Sequence, residues 1–142
     1  SAFTRLNNMG IEPFLISSSV LGVLAQRLLR KVCEKCKETY KPSDELLKSI
    51  GLSEGAGKNV LFSRGKGCPF CSMSGYKGRT GVYEVLVMDD ELREMVIAKA
   101  TSEVIKKRAH EKGMRVMRDD AIMKVLFGLT TLEEALNVVQ EE

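Results

Sequence analysis

A mainly helical α+β fold with a small cysteine-closed module in its middle is what this sequence predicts, on three observations. All four cysteines fall into two C-x-x-C pairs, Cys33-Glu34-Lys35-Cys36 and Cys68-Pro69-Phe70-Cys71. Beyond Met88, apolar side chains recur at three- and four-residue steps interrupted by Gly113 and Gly128, the pattern of successive amphipathic helices. Two short runs, Asn59 to Ser63 and Val82 to Met88, have the length and composition of strands.

The elements follow in order. The chain opens at Ser1 without a methionine, as expected of a piece of something longer. Asn7 to Pro13 reads as a turn region, with Gly10 free to take positive φ and Pro13 fixing the entry of the next element. Ile16, Val20, Leu21, Leu24, Leu28 and Val32 predict a helix from Ser17 to Val32, capped by one of Ser17, Ser18 or Ser19. Between the cysteine pairs, Ser43 caps a short helix that has Asp44 and Glu45 in its first turn and stops at Gly51. Gly55-Ala56-Gly57-Lys58 fails as a phosphate loop: no glycine stands five residues before Gly57, and Asn59 replaces the Ser or Thr that would bind magnesium. Gly78-Arg79-Thr80-Gly81 turns the chain into the Val82 to Met88 run. Asp89 then caps a helix carrying Leu92, Met95 and Val96, and Thr101 or Ser102 caps another holding Val104, Ile105 and Ala109. A third spans Met117 to Phe127, and Thr131-Leu132-Glu133-Glu134 is a capping box opening the last.

Composition limits the function classes. With 44% hydrophobic and 29% charged residues the chain reads as a soluble globular protein, and no apolar run approaches the ~20 residues of a membrane span. A net charge of +3 gives no general field for nucleic acid, and the lack of tryptophan argues against base stacking. The positive charge is local. Arg27, Arg30, Lys31, Lys35, Lys37 and Lys41 surround the first pair; Arg64, Lys66, Lys77 and Arg79 bracket the second. They either balance an anionic thiolate centre or form a patch for a phosphate or an acidic partner.

The chemistry-bearing residues are Cys33, Cys36, Cys68 and Cys71. A two-residue gap lets both thiolates of a turn reach one ion, and two such turns complete a tetrahedral site, with Zn2+ as the default occupant. Four cysteines close the coordination sphere, so the role is structural. Two disulfides would need an oxidising compartment, and a thioredoxin-type site needs one pair opening a helix after a strand. His110, alone in a lysine-rich helix, reads as a solvated surface histidine.

Arg5-Leu6-x-x-Met9-Gly10-x-Glu12-Pro13-Phe14-Leu15, Ser18-Ser19, Gly22-Val23-x-Ala25-Gln26-Arg27-Leu28, the two cysteine pairs and Gly78-Arg79-Thr80-Gly81-Val82-Tyr83-Glu84 together resemble one family over essentially the whole chain. It is that of the traffic ATPases of type II secretion and type IV pilus extension, and the resemblance is to their C-terminal part. It implies a hexameric cytoplasmic ATPase docked beneath the inner membrane, peripheral to it through partners. Those partners would be neighbouring subunits, a membrane platform and cytoplasmic adaptors, with no nucleic acid. It further implies that 1–29 ends a RecA-like core, 30–81 is a tetracysteine zinc subdomain and 82–142 is a helical subdomain. Cys33, Cys36, Cys68 and Cys71 match the family's metal ligands. Arg5, Arg30 and Arg79 fall where its members carry arginines facing a neighbouring subunit or its nucleotide, work suited to a permanently charged guanidinium. The family's Walker A and B motifs would lie upstream of Ser1, so this fragment is not expected to hydrolyse ATP, and ATP and Mg2+ would belong to the full-length parent. A free-standing zinc-ribbon adaptor binding nucleic acid through Arg64, Lys66, Lys77 and Arg79 is the alternative, and a C-x-x-C redox enzyme is a third.

Overall fold

The computed structural model describes residues 2–52 and 60–140, with the backbone alone for Gln140. The Gly55-Ala56-Gly57-Lys58 loop and the start of the strand expected at Asn59 lie outside the described residues. The helices are α1 (Ala2–Asn8), α2 (Pro13–Ser19), α3 (Asp44–Ser49), α4 (Asp90–Ile97), α5 (Ser102–Glu111), α6 (Met117–Leu126) and α7 (Leu132–Gln140). The strands are β1 (Gly22–Val32), β2 (Lys37–Tyr40), β3 (Phe62–Gly65) and β4 (Tyr76–Val87), with a 3-10 turn at Pro69–Cys71. No helix among the described residues is long and apolar enough to cross a membrane.

The helix expected over Ser17 to Val32 is not formed. Pro13 opens α2, which ends at Ser19, and the chain continues as β1. The three- and four-residue steps of Leu21, Leu24 and Leu28 mark no buried helix face, because all three are exposed. The inward set is Val23, Ala25, Arg27 and Leu29, spaced by two, as a strand requires. Pairing with β4 decides the outcome, since tertiary context overrides local helix preference. Leu21 accepts a backbone bond from Met88 (2.9 Å) and Gly75 one from Cys33 (2.9 Å), so the two strands run antiparallel. β4 is also longer than expected: Gly78 to Gly81 lie inside it, with Gly78 at φ +78°. β3 runs Phe62–Gly65, two residues beyond the expected end.

The chain forms two compact units, each from two separate stretches. The first takes Ser1–Ala25 and Tyr83–Val116. Its core joins Ile16, Leu86, Met88, Leu92, Val96, Ile105 and Ala109. Along β4, Glu84 and Leu86 face inward while Tyr83, Val85 and Val87 stay exposed. The α2–α4 contact is pinned by Ser17, which accepts from Arg93 through its carbonyl and donates to the Arg93 carbonyl through its hydroxyl. Asp89 caps α4 through the Leu92 N–H (2.8 Å) and Thr101 caps α5 through Val104 (3.4 Å). Lys112 and Arg108, near the end of α5, return to Asp89 and Glu91 at the start of α4.

The second unit takes Gln26–Val82 and Met117–Glu142. Leu29, Val32, Phe62, Val82, Met117, Ala121, Val125 and Ala135 are fully buried in it. β2 and β3 pair antiparallel from Lys37↔Gly65 to Tyr40↔Phe62. α6 packs on α7 and on β3. Ser43 caps α3 as expected, accepting from Leu46 (3.2 Å).

Candidate metal centre

Each cysteine pair sits where a strand of the β2–β3 ladder ends, and the antiparallel register puts both pairs at the same end. β1 stops at Val32, whose N–H bonds to the Leu129 carbonyl (2.9 Å), and Cys33 to Cys36 turn directly into β2. Lys37 lies opposite Gly65, so the chain leaving β3 passes Cys36: Lys66 donates to the Cys36 carbonyl (3.1 Å) and Gly67 to Cys36 Sγ (3.3 Å). Gly67 takes φ +99°, and Pro69 starts the 3-10 turn that carries Cys71 back beside Cys68.

Gly75 ties the two turns together. Its N–H donates to Cys71 Sγ (3.2 Å), while its carbonyl accepts from Cys33 (2.9 Å). A methyl group on Gly65 would stand 2.0 Å from the Gly75 carbonyl oxygen, so two backbones cross here in a space that excludes any side chain.

Cys33 and Cys68 sulfurs are 3.8 Å apart, as are those of Cys36 and Cys71, and Cys68 and Cys71 are 3.7 Å apart. All four ligand atoms lie within 4.8 Å of one another. Four sulfurs at ~2.3 Å from a central zinc form a tetrahedron with edges of ~3.8 Å, so the arrangement fits a zinc-sized ion. The same distances are far too long for disulfides, whose sulfurs sit ~2.05 Å apart, and all four cysteines are free. Burial pushes the Cys36 thiol up to about 12, the Gly67 N–H opposing it. Burial also raises Cys71, but N–H groups of Cys68 and Gly75 outweigh it and bring the thiol down to about 6. Such N–H···S bonds are the outer support that steadies thiolate ligands.

The other residues singled out in the sequence fall elsewhere. His110 is exposed on α5, in the first unit; the metal-ligand cluster among the described residues holds four cysteines and no histidine. Arg5 is exposed in the last turn of α1, and Arg79 is exposed on β4. Arg30 is held within the chain. Its Nη2 is 2.8 Å from Glu134 Oε2, Nε lies 3.1 Å from the same oxygen, and its backbone N–H reaches Oε1 at 3.0 Å. The guanidinium also lies over the Tyr76 ring, 4.2 Å from its centroid. The capping box expected at Thr131 has Glu134 as its closing residue. Thr131 does accept from the Glu134 N–H (3.1 Å), but the Glu134 carboxylate is spent on Arg30. The Tyr76 hydroxyl meets Thr131 Oγ1 at 2.8 Å, and Thr130 Oγ1 donates to the Arg30 carbonyl (2.7 Å). Only the Thr131–Glu134 spacing announced any of this network, because Arg30, Tyr76 and Glu134 meet across the fold.

Two C-x-x-C turns at one end of an antiparallel ladder, with four sulfurs at tetrahedral spacing, define a tetracysteine ribbon module set in a helical α+β frame. The chain that carries it belongs to the type II/IV secretion system protein family, whose model matches residues 1–137. It is 48% identical over 135 residues to the type IV pilus assembly ATPase PilB of Thermus thermophilus, covering 95% of this chain and 15% of that protein. It is 45% identical over 140 residues to the type II secretion system ATPase E of Vibrio cholerae, covering 99% of this chain and 27% of the relative. The pilus retraction motor PilT, solved with bound ADP, shares the fold at a TM-score of 0.53 and 15% identity, over 96% of this chain and 28% of that one. The chain therefore spans only a small part of the relatives it matches.

Proposed function

We propose that this chain is the metal-closed C-terminal portion of a hexameric secretion or pilus-assembly ATPase. In the parent, ATP hydrolysis at upstream motifs, with Mg2+, drives pilin or pseudopilin assembly, and this portion moves with the motor and contacts its neighbours. By descent, 1–29 ends the RecA-like core, 30–81 is the tetracysteine insertion and 82–142 is the helical end. The parent works in the cytoplasm, held at the inner membrane by a platform and adaptor proteins. The family match over 1–137 is the observation that carries this reading.

Cys33, Cys36, Cys68 and Cys71 would hold a structural zinc ion, which when bound supplies four coordinate bonds joining the two turns. The chain's own residues prepare that closure. Gly75 fixes the distance between the turns, Gly67 and Cys68 donate to the sulfurs, and the β2–β3 ladder sets their register. Arg5, Arg30 and Arg79 serve the neighbouring subunit or its nucleotide; for Arg30, Glu134 and Tyr76 keep the guanidinium oriented.

The test replaces Cys36 and Cys71 by serine in the full-length parent and reads zinc content, ATP turnover and pilin or pseudopilin assembly. Loss of zinc together with assembly is expected. A zinc-free variant that still assembles fibres would overturn the role given to the metal module. Arg79→Ala should retain zinc while lowering ATP turnover, and unchanged turnover would remove Arg79 from the nucleotide.

A further inference from the structure

One cavity lies wholly within the first unit and takes no part in the metal centre. It holds about 540 Å3, inside the ~300–1,000 Å3 of clefts that seat ligands. Phe3 of α1, Ile16 of α2, Val96 of α4 and Ile105 of α5 give it an apolar lining, and Asn7, Lys99 and Glu103 a polar one. Lys99 and Glu103 are exposed, at the rim, and Asn7 is half-buried.

Lys99 breaks a rule that the rest of the fold keeps. α1, α3, α5 and α6 are each followed, two residues on, by a glycine at positive φ: Gly10, Gly51, Gly113 and Gly128. At the same place after α4 stands Lys99, at φ 57°. The Lys99 N–H donates to the Val96 carbonyl and the Ala100 N–H to that of Met95, both at 3.0 Å, the usual left-handed helix stop. Lysine holds this conformation at a cost that glycine avoids. No contact of its ammonium offsets that cost. Among the described residues neither Lys99 nor Glu103 has an ion-pair partner, and the Asn7 carboxamide has no hydrogen-bond partner.

We propose that this cavity docks an extended peptide segment of another protein, one with an apolar side chain flanked by an acidic and a basic residue. The apolar side chain enters the cavity, Lys99 takes the carboxylate and Glu103 the cation. The Asn7 carboxamide, with a donor and an acceptor side by side, bonds the N–H and C=O of the peptide main chain. Charge complementarity selects this occupant. A rim with one unpaired charge of each sign suits a segment bearing both, whereas Glu103 repels an anionic amphiphile or a nucleic acid. A hydrocarbon chain would also leave the Asn7 amide without a partner, a penalty that a main-chain amide removes. The inference goes beyond the motor reading and stands on the first unit alone, so it neither needs zinc nor tests it.

The experiment is an amide-proton NMR titration of the 142-residue chain with the acetylated and amidated hexapeptide EELLKK. Saturable shifts are expected at Phe3, Asn7, Val96 and Ile105. The neutral peptide QQLLQQ should bind about five-fold more weakly, and EEGGKK, without an apolar anchor, about ten-fold more weakly or worse. Lys99→Gly should hold or raise the urea midpoint, since it relieves the left-handed lysine, while weakening the peptide about three-fold. Ala100→Leu, which fills the cavity, should abolish binding while the chain keeps its fold. Equal affinity for the three peptides, shifts confined to residues away from the cavity, or undiminished binding by Lys99→Gly overturns the proposal. So does tighter binding of octanoate or of a DNA oligonucleotide than of EELLKK. Exclusion of EELLKK from a longer parent also overturns it, by giving the cavity to the parent's own chain.

Discussion

At Gly65 a methyl group would meet the Gly75 carbonyl carbon at 2.6 Å as well as its oxygen at 2.0 Å, and neither backbone can yield without parting the two cysteine turns. Gly65→Ala should therefore cost about 3 kcal/mol or more, at or beyond the upper end of ordinary overpacking, as read by chemical denaturation of the zinc-loaded chain. Glu134 gives a pH-dependent prediction. The Arg30 hydrogen bonds hold its carboxyl below the usual carboxylate range. A carboxylate depressed in the folded state contributes stability that is present above its unfolded value, ~4.3, and is lost as pH falls through the lower folded value. Wild-type stability should drop on acidification below about pH 4.3, with a shallower acid limb in Glu134→Gln. Asp89 and Glu91 are depressed too, chiefly by Lys112 and by Arg108 respectively, so the difference between the two proteins isolates Glu134. At this scale the cysteines were legible because C-x-x-C spacing is itself the geometry. The Gly65–Gly75 crossing and the Arg30–Glu134 pair were not, since each joins residues distant in sequence.

Among the elements, caps were the most readable feature, because a cap is made within four residues. Ser43, Asp89 and Thr101 each bond the N–H that their position predicts. The strand β1 was unreadable for the opposite reason. Leucines at 21, 24 and 28 satisfy a helical period, and only the partner strand, more than forty residues on, turns their backbone into a ladder. Thr131 joins the two cases, capping α7 locally and meeting Tyr76 across the fold. Thr131→Ala should destabilise the second unit by about 2 kcal/mol, a cap and a buried hydrogen bond together. Ser43→Ala, which removes a cap from an exposed short helix, should cost about 1 kcal/mol. Paired urea titrations of the two variants check the order.

For the whole molecule, the mainly helical α+β class and the clustering of the four cysteines were legible in the sequence. A structural zinc site is typically worth ~10–16 kcal/mol of apparent binding free energy, a sum comparable to the stability of a domain. Chelation, or Cys36→Ser, should unfold the stretch from Cys33 to Gly78, whereas α4 and α5, whose core includes no cysteine, should keep their protection. Hydrogen exchange before and after chelator treatment distinguishes the two regions; unchanged exchange from Cys33 to Gly78 would show that the metal does not hold them. The interleaving of the two units has a consequence for biosynthesis. As the chain leaves the ribosome, the first unit cannot finish until Val116 has emerged, and the second, begun before the first is complete, waits for α6 and α7. Both cysteine pairs are thus out of the exit tunnel well before the helices that will bury their neighbours, so all four proposed ligands are presented together while the rest of the second unit is still being translated.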